Sequence, residues 1–405
     1  MSLLTNEQYK DFLLYGAIMD DGFSFDGHLN SDDFSDLKHG RKDISEKEIL
    51  EKLDRLMNDY TNKVKEEIKD EKKVGILLSG GIDSANILSY LTGWKDKMVF
   101  AYTWGGWGEN TTDIIYSKFT AGRFKENMAV HKAMFTDCNY EKEKEFYIEE
   151  IKKFKVPLDY SSVIPYIFLK KEILKDGIKI VFNGQNADTL FMAYPAPVKI
   201  YRLNLLFGLI GLDNIFNPFW MMRMFKSVGA WKYVFKDKFY KKRIDLFYNP
   251  INRLPLSLQQ KIIVMEEMFT ETRSNQNHQK KLLESDGLKV YNHYYDRNFI
   301  RLAITVPDKL REKNGFSKYL LYKFAKMRDI PKEVIEKPKK GMSYGYKDFI
   351  DKKLHLPVWG EIRANKRLGA FLDVEKAYRK ERDNFFLFDR LRSAHYFMIH
   401  VDSVF

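Results

Sequence analysis

The chain has 405 residues, of which 44% are hydrophobic, and a formal net charge of +12. That length buries a sizeable core and suggests two lobes. The one cysteine, Cys138, excludes a disulfide scaffold and any zinc site built on a Cys pair.

The start, Met1-Ser2-Leu3-Leu4-Thr5-Asn6-Glu7, lacks a basic stretch followed by an apolar core, so no signal peptide is expected. Residues 1–71 carry 18 Asp/Glu against 10 Lys/Arg, a net of −8. Residues 45–70 read as a helix. Ser45 and Glu48 form a capping-box pattern, and Ile49, Leu53, Leu56, Met57, Tyr60 and Val64 recur at helical spacing. An alternation then sets the fold class. Strands are predicted at Val74–Leu78, Met98–Thr103, Ala129–Phe135 and Ile178–Phe182. Helices are predicted at Ser84–Leu91, Asp113–Glu126, Glu141–Phe154 and Val163–Lys175. Such alternation implies an α/β fold with a doubly wound parallel sheet covered on both faces. Ligands in such sheets sit at the carboxyl ends of the strands.

After about Ala193 the strand signals fade. Residues 256–283, 316–328 and much of the chain after Asp373 read as helical. The expected organisation is an N-terminal segment and helix (1–71), an α/β core (72–195) and a mostly helical part (196–405) packed on that core. Residues 198–243 carry 10 Lys/Arg against 2 Asp/Glu, a net of +8, interleaved with aromatics such as Trp220, Phe225, Trp231, Phe235, Phe239 and Tyr240. This pattern suits a membrane surface or nucleic acid, or else a helical subdomain with aromatic packing inside and solvated lysines. The second reading is preferred, so nucleic acid is not the expected partner. The apolar run Leu205–Leu212 is too short to span a bilayer. A cytoplasmic protein is expected.

Three segments carry candidate chemistry. The first is Ser79-Gly80-Gly81-Ile82-Asp83-Ser84, between a predicted strand and a predicted helix. Strand, glycine turn and helix start form a phosphate cradle, because backbone N–H groups and the positive helix end face the anion. Gly80 and Gly81 permit close approach, and Asp83 adds a carboxylate suited to Mg²⁺. No Lys follows the glycines, so this is not the G-x-x-x-x-G-K-[ST] loop. An ordinary Ser/Gly turn is the competing reading. The second segment is Asn183-Gly184-Gln185-Asn186-Ala187-Asp188-Thr189-Leu190-Phe191, where Asp188 supplies a second carboxylate. An acidic residue stabilising a helix dipole would look the same. The third is the loop Lys337-Pro338-Lys339-Lys340-Gly341-Met342-Ser343-Tyr344-Gly345-Tyr346, whose lysines are either solvated charge or a cation for a growing anion.

The Ser79–Ser84 turn resembles the pyrophosphate (PP) loop of the ATP pyrophosphatases, which share an adenine-nucleotide α-hydrolase-like sheet. The lone cysteine argues against their sulfur-transfer members. Together the segments resemble the C-terminal synthetase domain of the asparagine synthetase family, over nearly the whole chain. Leu14-Tyr15-Gly16-Ala17-Ile18 and Phe25-Asp26-Gly27 resemble its N-terminal segment. Gly184–Phe191 resembles its G-E-G-A-D-E-L-F segment, and Lys337–Met342 its R-x-K-x-G-F loop. Asp296, Val306-Pro307, Lys318-Tyr319-Leu320-Leu321 and Ile330-Pro331 follow its C-terminal order.

The resemblance implies ATP and Mg²⁺ as cofactors and an acid activated as an acyl-adenylate, which an amine then attacks. Ser79, Gly80, Gly81, Ser84 and Gly184 would bind nucleotide phosphate, Asp83 and Asp188 the metal, and Lys339 the transition state. Thr103, ending the second strand, is a candidate adenine contact. The segment before the sheet is short and starts Met1-Ser2, so neither a glutaminase domain nor its nucleophilic cysteine is expected. In the second segment the family's Glu residues become Gln185 and Thr189. Gln cannot serve as a general base. Before Asp296, the family's E-x-R-x-P-F pattern reads Lys289-Val290-Tyr291-Asn292-His293-Tyr294. Nucleotide activation is therefore expected to be intact and the acceptor pocket changed, with Gln185 in the catalytic position.

The expected activity is an AMP-forming carbon–nitrogen ligase in a specialised biosynthetic or modification pathway. Its partners would be a small-molecule or peptide acid and an amine or ammonia donor, with a separate ammonia-supplying or carrier protein as a further expected option. Two alternatives stay open: a peptide or polymer cyclase or amidotransferase that uses residues 198–243, and an inactive nucleotide-binding subunit.

Overall fold

The computed structural model describes residues 3–15, 18–19, 31–37, 44–106, 112–134, 140–193, 249–268, 276–313, 316–337, 355–381 and 385–404. The basic-aromatic stretch 198–243 and the loop 338–346, with Lys339, lie outside them.

Helix α1 (Asn6–Tyr15) precedes α2 (Glu46–Glu67). Ser45 caps α2, its hydroxyl accepting from the Glu48 N–H at 3.1 Å. Ile49, Leu53, Met57 and Val64 form its buried stripe. The α/β alternation follows: β1 (Lys73–Leu77), α3 (Ile82–Leu91), β2 (Met98–Trp104), α4 (Thr112–Arg123), β3 (Val130–Met134), α5 (Tyr140–Phe154), α6 (Tyr160–Lys175), β4 (Ile180–Phe182) and the short α7 (Ala187–Leu190). In the second half come α8 (Leu258–Glu266), α9 (Gln276–Glu284), β5 (Lys289–Tyr291), α10 (Arg297–Thr305) and α11 (Tyr319–Met327). The described tail includes α12 (His355–Ala364), α13 (Lys366–Phe371), α14 (Val374–Glu381) and α15 (Phe385–His400).

The sheet is parallel throughout, in the order β3-β2-β1-β4-β5. Its direction of winding reverses between β1 and β4, which pair with Gly75 opposite Val181 and Ile76 opposite Phe182. That crevice is where an open α/β sheet accepts a ligand. Val74, Ile76, Val99, Ala101, Val181 and Phe182 are fully buried, as a sheet covered on both faces requires.

The predicted strands and helices of the first half are present, with ends shifted by up to three residues. One expectation is corrected. The strand signals fade after Ala193, yet Lys289–Tyr291 adds β5 beside β4, with Val181 opposite Val290, and Glu312–Lys313 pairs antiparallel with Phe316–Ser317, the start of a segment read as helical. The three residues of β5 are too few for an alternating pattern, and that strand exists because β4 offers an unpaired edge.

Candidate nucleotide and metal site

The glycine turn continues directly from β1. The Leu78 N–H donates to the Tyr102 carbonyl at 2.8 Å, so the sheet pairing runs to the edge of the turn. Ser84 then closes the loop on itself. Its Oγ accepts from the Ser79 N–H at 3.0 Å and lies 3.1 Å from Ser79 Oγ. The Gly81 N–H donates to Ser79 Oγ at 3.3 Å. Gly81 is the N-cap of α3, in extended backbone geometry with no side-chain cap. The positive end of a ten-residue helix therefore opens onto the turn.

Two glycines are required here by packing. A Cβ on Gly80 would stand 2.8 Å from Lys337 Nζ and 2.8 Å from Tyr116 Cβ. One on Gly184 would stand 2.9 Å from the Ser84 nitrogen and 3.2 Å from the Asp83 carbonyl carbon. The end of β4 thus rests on the first turn of α3, backbone against backbone, which only glycine allows. A Cβ on Gly81, by contrast, would have Ser79 Oγ at 3.3 Å as its nearest neighbour.

This approach brings Asp83 and Asp188 to one place. Lys318 Nζ donates to Asp83 Oδ2 at 2.6 Å and also pairs with Asp188. The Lys318 side chain is only 5% exposed, while Asp83 and Asp188 keep 18% and 31%. The ammonium thus lies beneath two carboxylates that still reach solvent. The two carboxylates hold the Lys318 proton, against the opposing effect of burial, and its pKa is raised. Lys318 has a left-handed backbone (φ +58°) and caps α11, and its N–H donates to the Phe191 carbonyl at 3.2 Å. A lysine in that conformation is uncommon, and such outliers mark sites where the surroundings hold a residue in place. The Tyr294 hydroxyl donates to the Asp83 carbonyl at 3.0 Å.

The residues after β4 form an amide network. The Asn292 side-chain amide donates to Asn183 Oδ1 and, at 3.1 Å, to the Gln185 carbonyl. Asn186, at φ +79°, donates from Nδ2 to Glu267 and to the Tyr294 carbonyl, each at 3.0 Å. Gln185 Nε2 donates to the Tyr166 hydroxyl at 2.6 Å. The lone pair of an amide nitrogen is delocalised into its carbonyl, so this group donates and does not accept a proton there.

Thr103 is 1% exposed; its hydroxyl donates to the Leu78 carbonyl at 2.6 Å and lies 3.0 Å from His131 Nε2. Burial first, then Lys118, lowers the His131 pKa. An adenine contact from Thr103 would require its hydroxyl to change partners. Lys337, the last described residue before the third segment, pairs with Asp113 Oδ1 at 2.7 Å and lies over the Tyr116 ring. Lys339 itself lies outside the described residues.

The donor set suits magnesium bound with a polyphosphate. Two carboxylates would hold it, and phosphate oxygens and water would supply the remaining hard oxygen ligands. Among the described residues no cluster of three or more His, Cys, Asp or Glu forms an all-protein cage. Nor is any described helix long and apolar enough to cross a membrane.

Lys318, Tyr166, Asp113 and Tyr294 went unassigned in the sequence. Lys318 does stand in the Lys-Tyr-Leu-Leu stretch that follows the family order, but nothing local ties it to Asp83.

The chain is 30% identical over 164 residues to a putative glutamine-hydrolyzing asparagine synthetase of Methanocaldococcus jannaschii, covering 40% of this chain and 28% of that protein. It is 26% identical over 322 residues to asparagine synthetase 1 of Bacillus subtilis, also glutamine-hydrolyzing, covering 68% of this chain and 46% of that protein. The chain therefore spans less than half the length of either relative. The asparagine synthase family model matches residues 59–382, from the end of α2 to the helical tail. That span takes in the glycine turn, both carboxylates and Lys318, and the chain belongs to the asparagine synthase family.

Proposed function

We propose that the chain is an ATP- and Mg²⁺-dependent ligase that forms a carbon–nitrogen bond through an adenylate. The observation that carries this reading is the meeting of Asp83 and Asp188 on one ammonium beside an open helix N-terminus, at the crevice between β1 and β4. The chemistry begins with an acid oxygen attacking the α-phosphorus of ATP. The bond to the β-phosphate oxygen breaks and pyrophosphate leaves. A nitrogen nucleophile then attacks the activated carbonyl, the bond to the AMP oxygen breaks, and the amine proton passes to solvent or phosphate. Mg²⁺ would neutralise the departing pyrophosphate.

The chain's own residues bind and orient. The turn N–H groups and the start of α3 receive phosphate, with Ser79 and Ser84 holding the turn in shape. Gly184 lets the two carboxylates converge. Lys339 would stabilise charge on the reacting group. Gln185, whose Nε2 donates to the Tyr166 hydroxyl, would face the amine side of the reaction. An amide at 185 cannot take a proton, which supports a nucleophile other than one activated by a carboxylate. The acid, the amine and any separate nitrogen-supplying or carrier partner belong to this proposal.

Exchange of labelled pyrophosphate into ATP tests it. Exchange that depends on a carboxylic acid, with AMP and pyrophosphate as products, is the expected result. ADP and phosphate would overturn the reading of the turn. ATP binding with no exchange against a broad acid panel would favour a nucleotide-binding subunit.

A further inference from the structure

The ammonium of Lys318 sits where two carboxylates converge, and this bears on how a divalent ion reaches them. Three features hold it there. Its backbone N–H is tied to the Phe191 carbonyl, three residues beyond Asp188. The next residue, Tyr319, donates its N–H to the Arg311 carbonyl at 3.2 Å. Its own backbone is left-handed, and the side chain runs under both carboxylates with almost no exposure. The lysine cannot drift off as a surface lysine would. It turns a doubly negative pair into a group with one net negative charge.

We propose that Lys318 is a resident counter-cation that competes with divalent metal for the Asp83–Asp188 pair, so that Mg²⁺ is accepted only with a polyphosphate. With the ammonium in place, a divalent ion alone gains one net negative charge and meets a positive charge next to it. A triphosphate carrying its own Mg²⁺ brings the missing negative charge, and the phosphates sit on the turn while the carboxylates face the metal. This arrangement deepens the reading under Proposed function and rests on it for the identity of the pair as the metal site.

Titration of the nucleotide-free protein with Mn²⁺, followed by electron paramagnetic resonance, tests it. Wild type should bind Mn²⁺ weakly, and its thermal midpoint should not respond to Mg²⁺ alone. Lys318→Met should bind Mn²⁺ about tenfold tighter or more, since a unit positive charge beside the ion is gone. Its midpoint should rise with Mg²⁺. Lys318→Arg keeps the charge and should behave as wild type. Lys318→Met combined with Asp188→Asn should lose the added affinity. A Lys318→Met protein that folds only with divalent ion present supports the proposal, because the metal then replaces the ammonium. Two results overturn it. One is folded Lys318→Met with unchanged Mn²⁺ affinity. The other is tight Mn²⁺ binding by the nucleotide-free wild type that Asp188→Asn abolishes, a result available even if Lys318→Met never folds. Both readouts are independent of pyrophosphate exchange. A silent exchange assay therefore leaves this titration interpretable, and a failed titration leaves the ligase reading standing.

Discussion

Gly184→Ala tests the contact on which the site is built. The added Cβ would stand 2.9 Å from the Ser84 nitrogen, 3.1 Å from Ser84 Cα and 3.2 Å from the Asp83 carbonyl carbon. All three are backbone atoms of the first turn of α3, so no side chain can swing aside. Ordinary van der Waals contact begins near 3.4 Å, so the end of β4 or the start of α3 must retreat by about half an ångström. Overpacking of this kind costs about 1–3 kcal/mol. The same retreat shifts Asp83 and the turn against Asp188 and Lys318. Misplacing reacting groups by about 1 Å costs up to ~10²-fold, so half of that should cost about tenfold in turnover. Urea unfolding reads the first effect and pyrophosphate exchange the second. Gly81→Ala is the control. Its φ of −105° suits any residue, and its nearest neighbours are the side-chain atoms Ser79 Oγ at 3.3 Å and Asp83 Oδ2 at 4.0 Å. It should change folding by about 0.5 kcal/mol or less. A Gly184→Ala protein with parental stability and exchange would refute the backbone-on-backbone contact, and with it the reason the two carboxylates converge.

Three further outcomes are expected. Asp83→Asn or Asp188→Asn should cut pyrophosphate exchange by about 10²-fold or more, and near-parental exchange in either variant would remove that residue from the site. Lys339→Met should lower kcat strongly with ATP affinity held, whereas Lys340→Met should be mild; equal, small effects would make both surface charge. Stability should fall in acid. Burial lowers the pKa of His293 to about 3, and burial with Lys281 and Arg390 does the same for His278. Both rings are neutral in the folded state and protonate near pH 6.5 when unfolded, so the unfolded chain binds more protons below that. The stability they contribute is full above about pH 6.5 and falls by about 1.4 kcal/mol per pH unit per ring toward pH 3. His293→Gln should shrink the slope of urea stability against pH by one proton's worth, and an unchanged slope would show that His293 does not titrate on unfolding.

Much of the fold was legible because its signals are local. Apolar strands alternating with amphipathic helices identified the parallel sheet, and the capping pattern at Ser45 and Glu48 located the start of α2. The Ser-Gly-Gly turn and the Asn-Gly-Gln-Asn-Ala-Asp segment each ended a predicted strand, so both carboxylates could be assigned to the carboxyl edge of the sheet. A periodic pattern and a turn composition are properties of neighbouring residues, and a sequence states them outright.

What the sequence left undecided depends on residues far apart along the chain. Lys318 meets Asp83 across 235 positions, and Lys337 meets Asp113 across 224. No spacing rule links such pairs; they meet because β1 and β4 are neighbours and α11 packs beside α3. The sequence placed a glycine at position 184, but only the packing reveals that it touches the turn of α3. The strand β5, three residues long, exists only because β4 presents an edge to it. Local chemistry determined which groups the candidate site contains. The winding of the sheet determined that two of its carboxylates share a single buried ammonium.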